Sequence, residues 1–209
     1  MSDLKISQLA SGGSALPSDA IAIARAGVSY QLTLSELAIG LLAEETLAGD
    51  TATFDIANIP QTWTHLEIIA MLQSTESAVQ SDVWVRFNGD SGTNYQCVYE
   101  YAVPGTQGRT PASDNVADTK MAVGLTSAAN SGSADNFGLF KITIPFYTAT
   151  GFRKALRAEA AFTREASNDP ALTHGTGIWE NTAAVTRITI LPAAGNWKAG
   201  SKLMLYGRL

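Results

Sequence analysis

From Thr51 onward, apolar side chains recur at every second position rather than every third or fourth, and each run is short. A period of two marks a strand with one buried and one wet face. Phe140, Ile142, Ile144 and Phe146 alternate with Lys141, Thr143 and Pro145, and the proline suggests an edge strand because it cannot donate to a ladder. Val185, Ile188 and Ile190 stand among Thr186, Arg187 and Thr189, while Leu203, Leu205 and Gly207 stand among Lys202, Met204 and Tyr206. Strands are expected at 52–56, 65–73, 82–87, 95–103, 120–125, 138–147, 154–162, 183–191 and 201–207. Nothing helical interrupts them.

Such a set of antiparallel strands must stack as two sheets or close into a barrel. The expected fold class is mainly β, an antiparallel β-sandwich of jelly-roll type over residues 49–209. Connections at 104–117, 126–137 and 163–177, rich in Gly, Ser, Asn, Asp, Thr and Pro, read as long loops that bind something or pack on a neighbouring subunit. No internal repeat is apparent.

Charged residues are only 16% of the chain and the formal net charge is −5, so nothing marks an electrostatic footprint for nucleic acid. Cys97 is alone, which excludes an intrachain disulfide and zinc-finger spacing. No apolar run approaches the ~20 residues that cross a bilayer, so membrane insertion is not expected. The opening Met1-Ser2-Asp3-Leu4-Lys5 lacks the charged and apolar regions of a signal peptide, and synthesis in a cytoplasm without ordinary export is expected.

The first 48 residues follow a different plan. Ile21 and Ile23 alternate with small neighbours, Ala26-Gly27 supplies a turn, and Tyr30, Leu32 and Leu34 alternate again, as in a tight hairpin. A short helix is expected next. Thr33 can cap it, Glu36 can reach back to the capping residue, and Leu34, Leu37, Leu41 and Leu42 give an apolar face that ends near Gly49.

Ile6-Ser7-Gln8-Leu9, Pro17-Ser18-Asp19, the run 20–25, Gly27-Val28 and Leu32-Thr33-Leu34-Ser35-Glu36-Leu37 come in an order that resembles the N-terminal segment of tailed-bacteriophage fibre and head-fibre proteins. The blocks 59–66, 85–95, 185–192 and 195–207 look similar to a recurring β-sandwich domain of phage structural proteins. The resemblance implies a virion protein without enzymatic activity or cofactor. Its module 1–48 would dock on other virion proteins through Ile6, Leu9, Ile21, Ile23, Tyr30, Leu32, Leu34 and Leu37, with the sandwich projecting outward. It also implies a homotrimer, assembled in the host bacterium. Attachment to tail or baseplate would make the sandwich a host-surface recognition domain, for glycan or protein. Attachment to the capsid would make it a head fibre or decoration protein that stabilises the shell or aids adhesion. A glycan-binding or glycan-cleaving domain is the reading from another class.

Residues that could carry chemistry are few. Asn88, Asp90, Ser91, Gly92 and Asn94 place oxygens at spacings a calcium ion could use, but Asn-Gly-Asp-Ser-Gly is also hairpin-turn chemistry. His65 and His174 are the only histidines and neither has metalloenzyme spacing, although His174 lies in a region open to surface recognition. Cys97, within Tyr95-Gln96-Cys97-Val98-Tyr99, reads as a buried strand position rather than a nucleophile. No spacing pairs any two of the carboxylates as a glycosidase would need. Trp63, Trp84, Trp179 and Trp197 are expected to plug sandwich ends or subunit contacts, with Trp179 also a candidate to stack on a sugar.

Overall fold

The computed structural model describes residues 20–25, 28–33, 39–104, 110–128, 136–163 and 169–209. Among them every regular element is a strand and every strand pairing is antiparallel. Strand β1 (Ala20–Arg25) pairs with β2 (Val28–Thr33), with Ile21 opposite Leu32 and Ile23 opposite Tyr30. Four of the expected docking residues are thus register partners in one two-stranded ladder. Ile6, Leu9, Leu34 and Leu37 lie outside the described residues.

The rest of the chain forms two sheets. The small one has four strands in the order β4 (Phe54–Ile56), β13 (Ile188–Pro192), β6 (Gln80–Phe87), β9 (Met121–Ser127). The large one has eight, in the order β3 (Ile39–Thr46), β14 (Lys202–Arg208), β5 (His65–Leu72), β10 (Gly138–Pro145), β11 (Lys154–Thr163), β12 (Pro170–Trp179), β7 (Tyr95–Ala102), β8 (Thr110–Asp118). The chain crosses between sheets at every step from β3 to β7, again from β8 to β10, and again from β12 to β14. The hairpins β7–β8 and β11–β12 are insertions that widen the large sheet on the β10 side. The core lies between the sheets. Leu66, Ile68, Leu72, Phe140, Ile142, Ile144, Leu203 and Leu205 come from the large sheet, and Phe54, Val83, Val85, Phe87, Ile188 and Ile190 from the small one. A β-sandwich was expected, and the two packed antiparallel sheets bear out that much.

Three expectations need correction. The helix drawn through Leu41 and Leu42 is a strand: both residues belong to β3, which pairs with β14. Gly40 lies opposite Gly207, and the Trp63 ring rests on that pair; a Cβ on Gly40 would stand 2.6 Å from the ring and one on Gly207 2.3 Å. A glycine costs a helix about 1 kcal/mol, whereas here it is the space that seats a tryptophan. The loop at 163–177 is largely the strand β12, and the loop at 104–117 largely β8.

The small-residue sequence of β12 explains that misreading. Its inward positions ahead of Trp179 are Ala171, Thr173, Gly175 and Gly177, because β9 lies directly on β12. A Cβ on Gly175 would stand 2.2 Å from the Val123 carbonyl oxygen, and one on Gly177 2.6 Å from the Met121 sulfur. Two backbones this close leave no room for the branched side chains by which a buried strand is usually recognised. Strand β9 is buried along its whole length.

Candidate functional site

The outward face of the large sheet carries residues in registered rows. In one row Lys141 on β10 is opposite Glu159 on β11, Glu159 is opposite His174 on β12, and His174 is opposite Glu100 on β7. Across these four strands the row spans roughly 14 Å at the usual strand spacing. In the next row Thr143, Arg157, Thr176 and Val98 are aligned in the same way. Paired residues of an antiparallel ladder project to one side, so both rows face outward.

Two depressions cover these rows. One, of ≈ 380 Å³, is lined by Val98, Tyr99, Glu100, Arg157, His174, Gly175 and Thr176. The other, of ≈ 490 Å³, is lined by Lys141, Thr143, Pro145, Ala155, Leu156, Arg157, Glu159 and Thr176. They share Arg157 and Thr176 and form one groove. Arg157 and Glu159 are both exposed and form an ion pair at 3.0 Å. Lys141 also reaches Glu67 at 3.2 Å, and Arg208 reaches the same carboxylate at 2.6 Å. Burial would raise the pKa of Glu67, but hydrogen bonds from Arg208 and Lys141 outweigh it and hold the carboxyl below the ordinary glutamate value.

His174, singled out from the sequence, is therefore an exposed residue of this groove with Glu159 on one side and Glu100 on the other. Trp179 is not on the surface. It is 1% exposed, its ring packs edge-on against Phe87 and stacks on Tyr95, and its Nε1–H donates to Asp90 Oδ2 at 2.7 Å. No face is left for a sugar. The remaining groove residues carried no marking in the sequence, because their grouping depends on register across four strands.

The Asn88–Asn94 segment is turn chemistry. Asn88 and Gly89 take φ of 54° and 69°, the left-handed pair of a tight turn that the Asp90 N–H closes onto the Phe87 carbonyl at 2.9 Å. Asp90 accepts from the Gly92 N–H at 2.8 Å, from Asn94 Nδ2 at 2.9 Å and from Trp179, so protein donors occupy its oxygens. Among the described residues no three His, Cys, Asp or Glu side chains gather as a metal would require. Cys97 is buried on the inner face, where its sulfur accepts from the Ala122 N–H. His65 sits at the sheet end, where its Nδ1 accepts from the Phe146 N–H at 3.2 Å and its ring meets that of Phe146 edge-on.

Four carboxyls are held below their ordinary values: Asp55 by its bidentate contact with Arg187, and Glu67, Asp90 and Asp118 by donors that outweigh their burial. Such groups stabilise the fold above their unfolded pKa of about 4, and that stabilisation is lost as pH falls through the folded values. Asp82 runs the other way. Burial raises its pKa despite a hydrogen bond from Tyr99, so its contribution is full below the unfolded value and fades as pH rises through the folded one. With four groups against one, the melting temperature is expected to fall between pH 6 and pH 3; a flat profile by calorimetry would contradict these pairings.

No family model matches this chain, and no curated protein matches it. The solved "Structure of infectious bursal disease virus Gx strain" aligns with 88% of this chain and 42% of that chain at 12% identity, with a TM-score of 0.12. This chain thus spans less than half of that one, and a TM-score so low carries no argument about either fold or function.

Proposed function

We propose that the chain is a bacteriophage virion structural protein without enzymatic activity, in which an N-terminal module docks on the particle and the sandwich projects to recognise the host surface. The observation that carries this reading is the strand order. Without the two inserted hairpins, the sheets read β3-β14-β5-β10 over β4-β13-β6-β9, the order of two interlocked Greek keys in an eight-stranded jelly roll. Jelly rolls serve as viral capsid and lectin domains, and the sequence ahead of this one resembles a fibre attachment segment. Fold alone does not fix function, so the reading rests on the two together. Trimerisation would multiply weak contacts with the host surface through effective concentration.

Labelling purified particles with an antibody to residues 51–209 is expected to decorate the tail or baseplate. Uniform label over the head would transfer the protein to the capsid, and absence of label would remove it from the virion. A truncation lacking residues 1–38 is expected to lose incorporation while keeping its melting temperature. The cut must stop before Ile39, because β3 pairs with β14 and its Gly40 seats Trp63. Incorporation of the truncated chain would refute docking by the N-terminal module.

A further inference from the structure

We propose that the groove across β10, β11, β12 and β7 binds a neutral saccharide; this rests on the reading of the sandwich as the recognising domain. The argument begins with charge. Lys141 and Arg157 are balanced by Glu159 and Glu100, so the groove has no net field to collect a polyanion or a polycation, although it is dense in charged atoms. Its hydrogen-bonding inventory is mixed to an unusual degree for so small an area. Lysine and arginine only donate, the glutamates only accept, and Thr143, Thr176 and His174 can do either. A sugar hydroxyl both donates and accepts, so a ring bearing several of them needs donors and acceptors interleaved at short intervals, as these two rows provide. Helix docking calls instead for a continuous apolar groove, and an extended peptide for an unpaired sheet edge, whereas β10, β11, β12 and β7 are each paired on both sides. Between the polar groups lie short apolar surfaces, Val98 at 42% exposure and Ala155, against which the C–H face of a ring can lie.

The position also fits. The four strands sit on the side widened by the β7–β8 and β11–β12 insertions, and β12 is seated on β9 by its glycines. Groove residues thus stand on paired strands with buried backs rather than on loops, which keeps their spacing fixed before a ligand arrives.

The test presents the full-length chain to an immobilised panel of neutral hexose and N-acetylhexosamine oligosaccharides, beside sulfated and sialylated ones. Retention on at least one neutral glycan is expected. Arg157→Ala and His174→Ala, both at exposed positions, are expected to weaken it tenfold or more each, and Lys202→Ala at the far end of the same face to change it less than twofold. A panel with no neutral binder, binding confined to the anionic glycans, or full affinity in both groove variants would overturn the proposal. Particle labelling separates the two readings. Label on particles with no neutral glycan bound would refute the groove and leave the virion protein standing, and a glycan bound through Arg157 by a chain that never enters particles would do the reverse.

Discussion

Replacing Gly175 by alanine is expected to destabilise the protein by about 3 kcal/mol, the upper part of the usual range for forcing extra atoms into a packed core. For a chain of this size that lowers the melting temperature by roughly 6–12 °C, at roughly 2–4 °C per kcal/mol. The added methyl would stand 2.2 Å from the Val123 carbonyl oxygen, 2.8 Å from its carbon and 3.1 Å from Tyr99 Cβ. A flexible side chain could swing aside, but a carbonyl in the middle of β9 cannot. That strand is buried throughout, and Val123 sits between Ala122 and Gly124, which pair with Trp84 and Val83 of β6, so relief requires lifting backbone off the core. Gly151→Ala is the control, since nothing lies within 4 Å of a Cβ there, and its effect is expected to stay near 0.5 kcal/mol. Equal melting temperatures for the two variants would mean that β9 does not rest on β12.

The same contact shows why part of the architecture was legible and part was not. Strands β6, β10 and β14 pack large side chains inward against mostly polar ones outward, and a period of two in the sequence is the direct image of that geometry. Strand β12 obeys the same period, but up to its last residues the inward set is Ala171, Thr173, Gly175 and Gly177, and inward positions so small look like a loop. Nothing local says that a neighbouring backbone fills the space. Residues 39–46 failed in the opposite sense. Leu-Leu-Ala-Glu-Glu is good helix material, and only the partner strand β14, distant in sequence, and Trp63 over Gly40 decide for a strand. For the candidate site, His174 could be noticed as a rare residue. Its relation to Arg157, Glu159 and Glu100 is a matter of register between β11 and β12 and of the pairing of β12 with β7, which is distant in sequence.

Trp179→Ala is expected to cost about 3–5 kcal/mol, the range for emptying a fully buried aromatic site. The size of this effect distinguishes a core plug from a sugar platform. An exposed aromatic removed from a binding surface would change stability by less than about 0.5 kcal/mol and abolish ligand binding, whereas the plug is expected to do the opposite in proportion. Trp179 closes the end of the sandwich at 1% exposure, between Phe87 and Tyr95, and its indole N–H helps to hold the Asp90 carboxylate over the Asn88–Asn94 turn. Trp179→Phe keeps most of the ring and removes only that donor. In this variant the Asp90 carboxyl should move back toward the ordinary aspartate value, since the indole is the foremost of the hydrogen bonds that lower it. Stability that the ionised Asp90 supplies at neutral pH is lost as pH falls through its folded pKa, so the gap between wild type and Trp179→Phe should narrow on acidification. Thermal melts of both proteins at pH 7 and pH 3 provide the measurement. A gap that stays constant would reduce the Trp179–Asp90 contact to packing alone.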